Sequence, residues 1–378
     1  MTDKVHIRRL RLGKFRNYPE ASVVFDGRHV VLVGDNGAGK TNLMEAISFL
    51  SPGRGMRRAA YADIASAGSG EGFTVFSALA GMAGPVEIGT GFDPGEAGAR
   101  RLRINGAPAR SADDLLEHLR ILWLTPAMDG LFTGPAADRR RFLDRLVLSV
   151  DPAHGSRALD YERAMRSRNR LLSDFRPDPV WLDGLESQMA ELGVAMTLAR
   201  GELVAMLTAL ISRQGEAGGF PTADLALDGF AIGNQGGAAS GLEADFALAL
   251  KSGRARDAAA GRTLEGPHRA DLLVRHRAKH IAAELCSTGE QKALLIGLVL
   301  AHARLARDMT GHTPLLLLDE IAAHLDPGRR AALFDLVDSL GGQAFMTGTD
   351  AAMFATLGDR AQVFDVAAGT VRLRPVGS

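Results

Sequence analysis

From Val30 the chain reads Val30-Val31-Leu32-Val33-Gly34-Asp35-Asn36-Gly37-Ala38-Gly39-Lys40-Thr41, and apolar residues at helical spacing follow from Asn42 to Ile47. An apolar strand thus leads into a glycine-rich loop, and a helix follows that loop. Glycines allow the backbone to curl, so that successive N–H groups and the helix N-terminus point at one anion. The stretch therefore predicts a phosphate-binding loop in the context that such a loop requires.

Each residue of this loop is expected to contact the phosphates of a bound nucleotide. Lys40 is predicted to reach the β and γ phosphates, and Thr41 is predicted to offer its hydroxyl to Mg²⁺. The predicted nucleotide-binding residues are Gly34, Asp35, Asn36, Gly37, Ala38, Gly39, Lys40 and Thr41.

A second chemical cluster follows the apolar run Leu315–Leu318, where Asp319 and Glu320 are adjacent. An all-apolar run that ends in acids is typical of a central parallel strand whose C-terminal end faces a ligand. Asp319 is predicted to hold Mg²⁺, and Glu320 is predicted to polarise the attacking water. Many strands end in Asp, but together with the phosphate loop this pattern predicts a catalytic set of Lys40, Asp319 and Glu320.

Composition limits what can surround these motifs. The chain has 378 residues, 46% of them hydrophobic and 23% charged, which is ordinary for a globular protein of two domains or one split domain. No continuous apolar run approaches the ~20 residues that span a bilayer. The basic stretch Met1–Lys14 lacks the apolar core of a secretion signal, so a cytoplasmic location is expected. The single cysteine, Cys286, excludes an internal disulfide.

The pattern of elements changes along the chain. Short strand signals fill residues 51–110, with a hairpin signal at Asn105-Gly106, and they predict an antiparallel sheet beside the nucleotide-binding sheet. Long helical patterns dominate residues 136–213. The glycine-rich segment 215–241 is weakly patterned, and residues 254–262 are predicted to be a mobile basic loop.

Two groups of polar residues outside the motifs have open interpretations. Arg16 and Asn17 lie in a basic turn that could sit close to a bound nucleotide or could simply be solvated. Arg163, Arg166 and Arg170 fall on one face of a predicted helix. They form either a stripe that follows DNA phosphates or a solvated helix face partly neutralised by nearby acids.

The stretch Ser287-Thr288-Gly289-Glu290-Gln291 opens an apolar helix. A serine hydroxyl and free N–H groups at a helix start form an anion site. No phosphate-binding motif lies near this helix start in the sequence. A phosphate held by a second copy of the chain would supply the anion.

Taken together, these motifs resemble those of ABC-type ATPase heads of the SMC class. The order is the glycine-rich Lys-Thr loop, the Ser-x-Gly-Glu-Gln signature, the Leu-Leu-Leu-Leu-Asp-Glu strand and then Ala323-His324-Leu325-Asp326. Further motifs narrow the resemblance, over essentially the full length, to the RecF family of bacterial recombination mediators: Lys14-Phe15-Arg16-Asn17-Tyr18, Arg140-Arg141-Phe142-Leu143-Asp144, Arg168-Asn169 and Gly266-Pro267-His268-Arg269.

The resemblance implies an α/β fold, a P-loop NTPase head with an inserted helical arm and no long coiled coil. Residues 1–124 and 264–378 would form the head, and residues 125–263 the arm. ATP and Mg²⁺ are the implied cofactors, with Arg16 and Asn17 helping to bind nucleotide. Asp326 would belong to the D-loop. The signature residues that would complete the partner subunit's site are Ser287, Gly289, Glu290 and Gln291.

Two regions depart from the usual ABC pattern. A glutamine is expected after the antiparallel sheet, where this chain has Thr125-Pro126-Ala127-Met128-Asp129. A histidine is usual near the last switch strand of transporters, where this chain has Thr347-Gly348-Thr349. The roles of Asp129 and Thr347 therefore do not follow from the resemblance.

The resemblance implies an ATP-dependent DNA-binding protein of recombinational repair and replication, including the SOS response. An ATP-induced homodimer would clamp DNA at gaps or single-strand/double-strand junctions and, with RecR and RecO, promote loading of RecA. Hydrolysis would be a slow, DNA-stimulated switch. Aromatic residues make up only 6% of the chain and do not interleave with the arginine clusters, which favours duplex binding over base stacking.

Other protein classes share parts of this pattern. An ATPase subunit of an ABC transporter carries the nucleotide motifs, but the long arginine-bearing helical insertion has no place in it. An SMC-like structural ATPase of another DNA pathway remains open. An overcoming-lysogenisation type nuclease is disfavoured, because few residues follow Asp326 and such a nuclease needs a further acidic domain.

Overall fold

A computed structural model describes residues 4–65, 72–95, 100–214, 219–230 and 239–375. The strands, in chain order, are β1 (His6–Phe15), β2 (Tyr18–Val24), β3 (His29–Val33), β4 (Phe73–Gly81), β5 (Gly84–Phe92), β6 (Arg100–Ile104), β7 (Ala107–Pro108), β8 (Ile121–Leu124), β9 (Ala223–Asp228), β10 (Asp271–His276), β11 (Ile281–Ala282), β12 (Leu315–Leu318), β13 (Ala344–Gly348), β14 (Ala361–Ala367) and β15 (Thr370–Leu373). The α-helices are α1 (Lys40–Ser48), α2 (Ala136–Leu148), α3 (His154–Leu172), α4 (Pro179–Gln214), α5 (Ala239–Ser252), α6 (Arg254–Ala260), α7 (Thr288–Thr310) and α8 (Pro327–Ser339).

The chain forms two compact units. The first contains residues 1–129, 216–221 and 287–378, and the second contains residues 130–215 and 222–286. The predicted division differs from these units mainly at residues 264–286, which were expected in the head. Strand β10 pairs there with β9 and β11, and this pairing explains why the segment groups with the second unit.

A mostly parallel sheet in the first unit has the strand order β15-β14-β3-β13-β12-β8, with β15 antiparallel at one edge. Every residue of β3, β12 and β13 is buried, as expected for central parallel strands. The predicted α/β fold with a mostly parallel sheet is thus confirmed. Because parallel strands end at the same edge, the residues that follow β3 and β12 and the C-terminal end of β13 come together.

The predicted antiparallel sheet is also present, in the order β2-β1-β4-β5-β6-β7. Asn105 (φ 51°) and Gly106 (φ 81°) form the predicted hairpin turn between β6 and β7, in the left-handed region that such a turn requires. One hydrophobic core includes residues of both sheets, among them Phe15, Phe73 and Phe345.

The second unit is mainly helical, with the short sheet β11-β10-β9. Helices α3, α4 and α5 enclose a core that includes Tyr161, Met189 and Phe246. Residues 254–262, which the sequence predicted to be a mobile basic loop, instead begin with α6. Arg254 there binds the buried Glu186 carboxylate, with 2.6 Å between Nη2 and Oε2, so that prediction was wrong.

One helix among the described residues, α4, is long enough and apolar enough on average to cross a membrane, by length and composition alone. Its residues Met189, Ala190 and Met196 contribute to the helical core of the second unit.

Candidate functional site

The phosphate loop is shaped by contacts around its glycines. Gly39 has φ 117°, and a Cβ there would lie 2.6 Å from the Asn17 side-chain nitrogen. A Cβ on Gly34 would lie 2.1 Å from the Val366 carbonyl oxygen. Only glycine fits at either position, because the adopted backbone angle and the close neighbours both exclude a side chain.

Lys40 begins α1 and is almost fully buried. Its Nζ donates hydrogen bonds to the carbonyl oxygens of Gly34 (2.6 Å) and Asp35 (2.8 Å). The ammonium therefore contacts the backbone of the predicted phosphate loop. A buried ammonium that contacts carbonyl dipoles favours the approach of an anion.

Thr41 and Asp319 meet although 278 residues separate them, with a 3.0 Å hydrogen bond from Thr41 Oγ1 to Asp319 Oδ1. Burial raises the pKa of the Asp319 carboxyl, and the neighbouring Glu320 carboxylate adds to this effect. Hydrogen bonds from Thr347 and Thr41 act in the opposite direction. One hydroxyl and one carboxylate side by side are hard oxygen donors of the kind that Mg²⁺ prefers.

Glu320 lies next to this pair and adopts an unusual backbone. Its φ is 53°, a left-handed conformation that residues with side chains rarely adopt. Its backbone N–H donates to Thr347 Oγ1 at 2.8 Å, and Thr347 Oγ1 donates to Asp319 Oδ1, also at 2.8 Å. The structure thus brings Lys40, Thr41, Asp319 and Glu320 to one edge of the sheet and adds Thr347.

Arg16 and Asn17 lie at the phosphate loop in different ways. The Arg16 guanidinium donates two hydrogen bonds to the fully buried Glu45 carboxylate of α1, at 2.8 and 2.9 Å. Asn17 Nδ2 donates to the Ala38 carbonyl of the loop at 3.1 Å, and Asn17 Oδ1 accepts a 2.7 Å hydrogen bond from Asn42. Arg16 therefore braces the helix that follows the loop, and Asn17 braces the loop itself.

Sequence reasoning missed two members of this network. Glu45 appeared only as part of a helical pattern, and Arg57 was not considered. Arg57 Nη1 donates to Asn42 Oδ1 at 2.6 Å and to Glu45 Oε2 at 3.2 Å. The sequence signal that could have found them is Glu45 itself, a carboxylate at a helical position expected to be buried, since such a group needs a cationic partner.

The signature residues form the N-terminus of α7. Ser287 and Glu290 make a reciprocal capping box: Glu290 Oε2 accepts from the Ser287 N–H at 3.0 Å, and Ser287 Oγ accepts from the Glu290 N–H at 3.4 Å. Ser287 and Gly289 are exposed, whereas Gln291 is buried. The helix start thus exposes Ser287, Thr288 and Gly289, while the Ser287 hydroxyl itself donates to Glu290 Oε2 at 3.0 Å within the capping box.

Asp326, the predicted D-loop residue, caps α8. Its Oδ1 accepts from the Arg329 N–H at 2.9 Å. This hydrogen bond lowers the pKa of the Asp326 carboxyl, which is exposed to solvent.

Four arginines of α3, at positions 163, 166, 168 and 170, divide into two groups. Arg163, Arg166 and Arg170 are exposed, and Arg163 pairs with Asp160 at 2.8 Å. Arg168 is fully buried between the carboxylates of Glu186 (3.0 Å) and Asp257 (2.7 Å). The predicted stripe therefore lies on the solvent side of the helix, while Arg168 holds the second unit together.

Two other motif residues, Asp144 and His268, are half-buried and make polar contacts within the second unit. Asp144 accepts a paired hydrogen bond from Arg200 at 2.8 and 2.9 Å, and it contacts His154 at 2.8 Å. His268 Nδ1 lies 3.0 Å from the Tyr161 hydroxyl. These buried polar contacts specify how α2, α3, α4 and the segment before β10 pack.

A family model and individual relatives both place this chain in the same protein family. Residues 6–372 match the model of the RecF/RecN/SMC N-terminal domain. The "DNA replication and repair protein RecF" of Rhizobium meliloti (strain 1021) is 66% identical over 372 residues, covering 98% of this chain and 100% of the relative. The protein of the same name from Agrobacterium fabrum is 62% identical over 98% of this chain and 99% of the relative.

Solved structures share the fold at low sequence identity. The structure described as "recombination mediator protein RecF-ATP in RecFOR pathway" aligns with a TM-score of 0.86 and 21% identity, covering 99% of both chains. An Smc head domain from Pyrococcus furiosus, bound to the C-terminal domain of ScpA, aligns with a TM-score of 0.54 and 17% identity over 98% of this chain and 96% of that chain.

Proposed function

The chain belongs to the RecF proteins of the RecF/RecN/SMC N-terminal domain family, and on that premise we propose that ATP binding and hydrolysis control its binding to DNA. Its relatives are named DNA replication and repair proteins, and a structure that shares its fold is described as a recombination mediator in the RecFOR pathway; both descriptions support a role in recombination mediation. The observation that carries the ATPase proposal is the 3.0 Å hydrogen bond between Thr41, at the end of the phosphate loop, and Asp319, which Glu320 follows in the chain.

In the proposed reaction, the loop from Gly34 to Thr41 binds the phosphates of ATP, and Lys40 compensates their charge. The Glu320 carboxylate orients a water whose oxygen bonds to the γ-phosphorus. The bond from that phosphorus to the β–γ bridging oxygen breaks, so ADP leaves and inorganic phosphate forms. The proton that the water loses passes to the Glu320 carboxylate and returns to solvent when the products depart.

Thr41 and Asp319 are the residues that would hold Mg²⁺, since their oxygen atoms already lie 3.0 Å apart and are hard donors. When bound, this ion would neutralise phosphate charge. A raised Asp319 pKa fits the same role, because a bound cation recovers the free energy that burial of the carboxylate costs.

Two copies of the chain are proposed to share each ATP. Ser287 and Gly289 are exposed at the α7 N-terminus. The capping box there is complete without a bound phosphate, so an anion would have to come from outside the subunit. A hydroxyl, free N–H groups and the helix dipole can complete the γ-phosphate site of the partner subunit. Glu290 and Gln291 would orient this helix start, and Asp326 would lie at the dimer interface.

DNA is the proposed macromolecular ligand, bound as duplex at gaps or junctions by the ATP-induced homodimer. The exposed arginines 163, 166 and 170 are proposed phosphate contacts, because Arg166 and Arg170 have no carboxylate within ion-pair distance in the described part of the chain. By membership in the family, RecR and RecO are proposed partners in loading RecA. We place this activity in the cytoplasm, where bacterial DNA lies.

Two variants test the proposal. Lys40→Met should abolish tight ATP binding, whereas Glu320→Gln should retain binding and trap the dimer. Sedimentation of both variants and of the unchanged protein, with and without ATP and gapped DNA, reads out the result. Equal loss of ATP binding in both variants would contradict the role of Glu320, and a Glu320→Gln protein that stays monomeric with ATP and DNA would contradict the shared site.

A further inference from the structure

We propose that Thr347 is a positioning residue for Glu320, an inference that rests on the proposed ATPase function. The Thr347 side chain is almost fully buried, at 1% exposure, and its one hydroxyl bridges both acidic residues. It donates to Asp319 Oδ1 and accepts from the Glu320 N–H, each at 2.8 Å.

The place of Thr347 in the sheet explains this contact. Strand β13 lies between β3, which leads into the phosphate loop, and β12, which ends at Asp319. Thr347 pairs with Leu32 of β3, and the preceding Met346 pairs with Leu318 of β12. A side chain at this position therefore lies between the two nucleotide-binding segments.

The direction of both hydrogen bonds is determined by chemistry. An amide N–H can only donate, so the Thr347 oxygen must accept from Glu320, and the hydroxyl proton is left for Asp319. Serine could make the same two bonds, whereas valine, which has nearly the same shape, could make neither.

The bond to the Glu320 N–H matters because of the backbone there. Glu320 has φ 53°, a conformation that persists only when its surroundings hold it. The amide bond to Thr347 is one such restraint, and it lies on the residue whose carboxylate is to orient the water. Loss of this bond allows the peptide to relax and moves the carboxylate, while the phosphate loop and Lys40 stay as they are.

The test compares Thr347→Val with Thr347→Ser in the full-length protein. Thr347→Val should lower the single-turnover rate of ATP hydrolysis on duplex DNA by roughly 10- to 100-fold, as expected for a misplaced catalytic group. Its affinity for a non-hydrolysable ATP analogue should remain that of the unchanged protein. Thr347→Ser should restore the rate.

Thr90→Val is a matched control for loss of a buried hydroxyl. Thr90 lies on β5, donates to the Arg101 carbonyl at 3.0 Å and accepts from Arg100 Nε at 2.7 Å, so it also makes two hydrogen bonds. Its replacement should lower stability without changing the hydrolysis rate.

Three results would overturn the role of Thr347: an unchanged rate in Thr347→Val, an equally slow Thr347→Ser, or the same loss of rate in Thr90→Val. If the unchanged protein neither binds nor hydrolyses ATP, the proposed function fails first and the inference fails with it. That outcome is distinguishable, because it appears before any variant is compared.

Discussion

Lys292 and Asp129 form an ion pair, with 3.2 Å between Lys292 Nζ and Asp129 Oδ2. Lys292 lies on α7 just after the signature residues, and its side chain is 7% exposed. Asp129 follows β8, the parallel neighbour of β12, in the segment where other ABC heads carry a glutamine. The pair links the outward-facing helix start to the chain that leaves the nucleotide edge of the sheet.

Asp129→Asn should weaken ATP-dependent dimerisation and leave ATP affinity of the monomer nearly unchanged. The substitution leaves a mostly buried ammonium without its carboxylate, at a cost of about 1–2 kcal/mol, since Asp129 itself is partly solvated. Sedimentation at several ATP concentrations measures the effect. Asp129→Glu, which retains the charge, is the control, and equal dimerisation in all three proteins would rule out this link.

As pH falls, the rate of ATP hydrolysis should begin to decline at a higher pH than it would if Asp319 had the pKa of an ordinary aspartate. The folded protein raises the pKa of Asp319 above 3.8, so as pH falls the carboxyl takes up its proton early and loses its affinity for a cation. The same shift makes stability fall as pH rises from the unfolded pKa through the folded one.

Because the Thr347 hydrogen bond lowers this pKa, Thr347→Val should move the acidic limb of the pH–rate profile to higher pH. Measurement of single-turnover rates across pH checks both expectations. An acidic limb that does not move in Thr347→Val would show that Asp319 does not set it.

Replacement of Arg163, Arg166 and Arg170 together by Ala should weaken DNA binding and flatten its salt dependence. Each lost phosphate contact lowers the slope of log affinity against log salt by about 0.9. Titrations of duplex DNA at several salt concentrations give this slope. Arg28→Ala is the control, because Arg28 lies in the first unit, is half-buried and pairs with Asp26 at 2.7 Å; an unaltered slope in the triple variant would exclude the stripe.

Arg168→Ala should destabilise the protein by about 3–5 kcal/mol, because it leaves the buried Asp257 carboxylate without its cation and leaves Glu186 with Arg254 as its cationic partner. Arg170→Ala, two residues along the same helix but exposed, should change stability by less than about 0.5 kcal/mol. Urea unfolding of the two variants compares them directly. Similar stabilities would mean that the buried network contributes little.

Local sequence patterns were sufficient to predict the part of the fold that carries the phosphate loop and the Asp319-Glu320 pair. Its glycine-rich loop between an apolar strand and a helix, and its Leu315–Leu318 strand before two acids, are local patterns whose backbone chemistry permits few alternatives. The hairpin at Asn105-Gly106 belongs to the same class, because both residues tolerate positive φ. The prediction of a mobile loop at residues 254–262 was wrong because a basic charge pattern does not distinguish a loop from a short helix whose arginine is paired.

Contacts between side chains that are distant in the sequence could not be predicted, because they depend on how the strands and helices pack. Thr347 contacts Asp319 because β13 lies between β3 and β12, an order that no local pattern encodes. Arg16 turned out to brace Glu45, and Arg168 turned out to be buried although its neighbours Arg166 and Arg170 are exposed. Helical spacing predicts which residues share a face, but the partners packed against that face decide which charges are paired and buried.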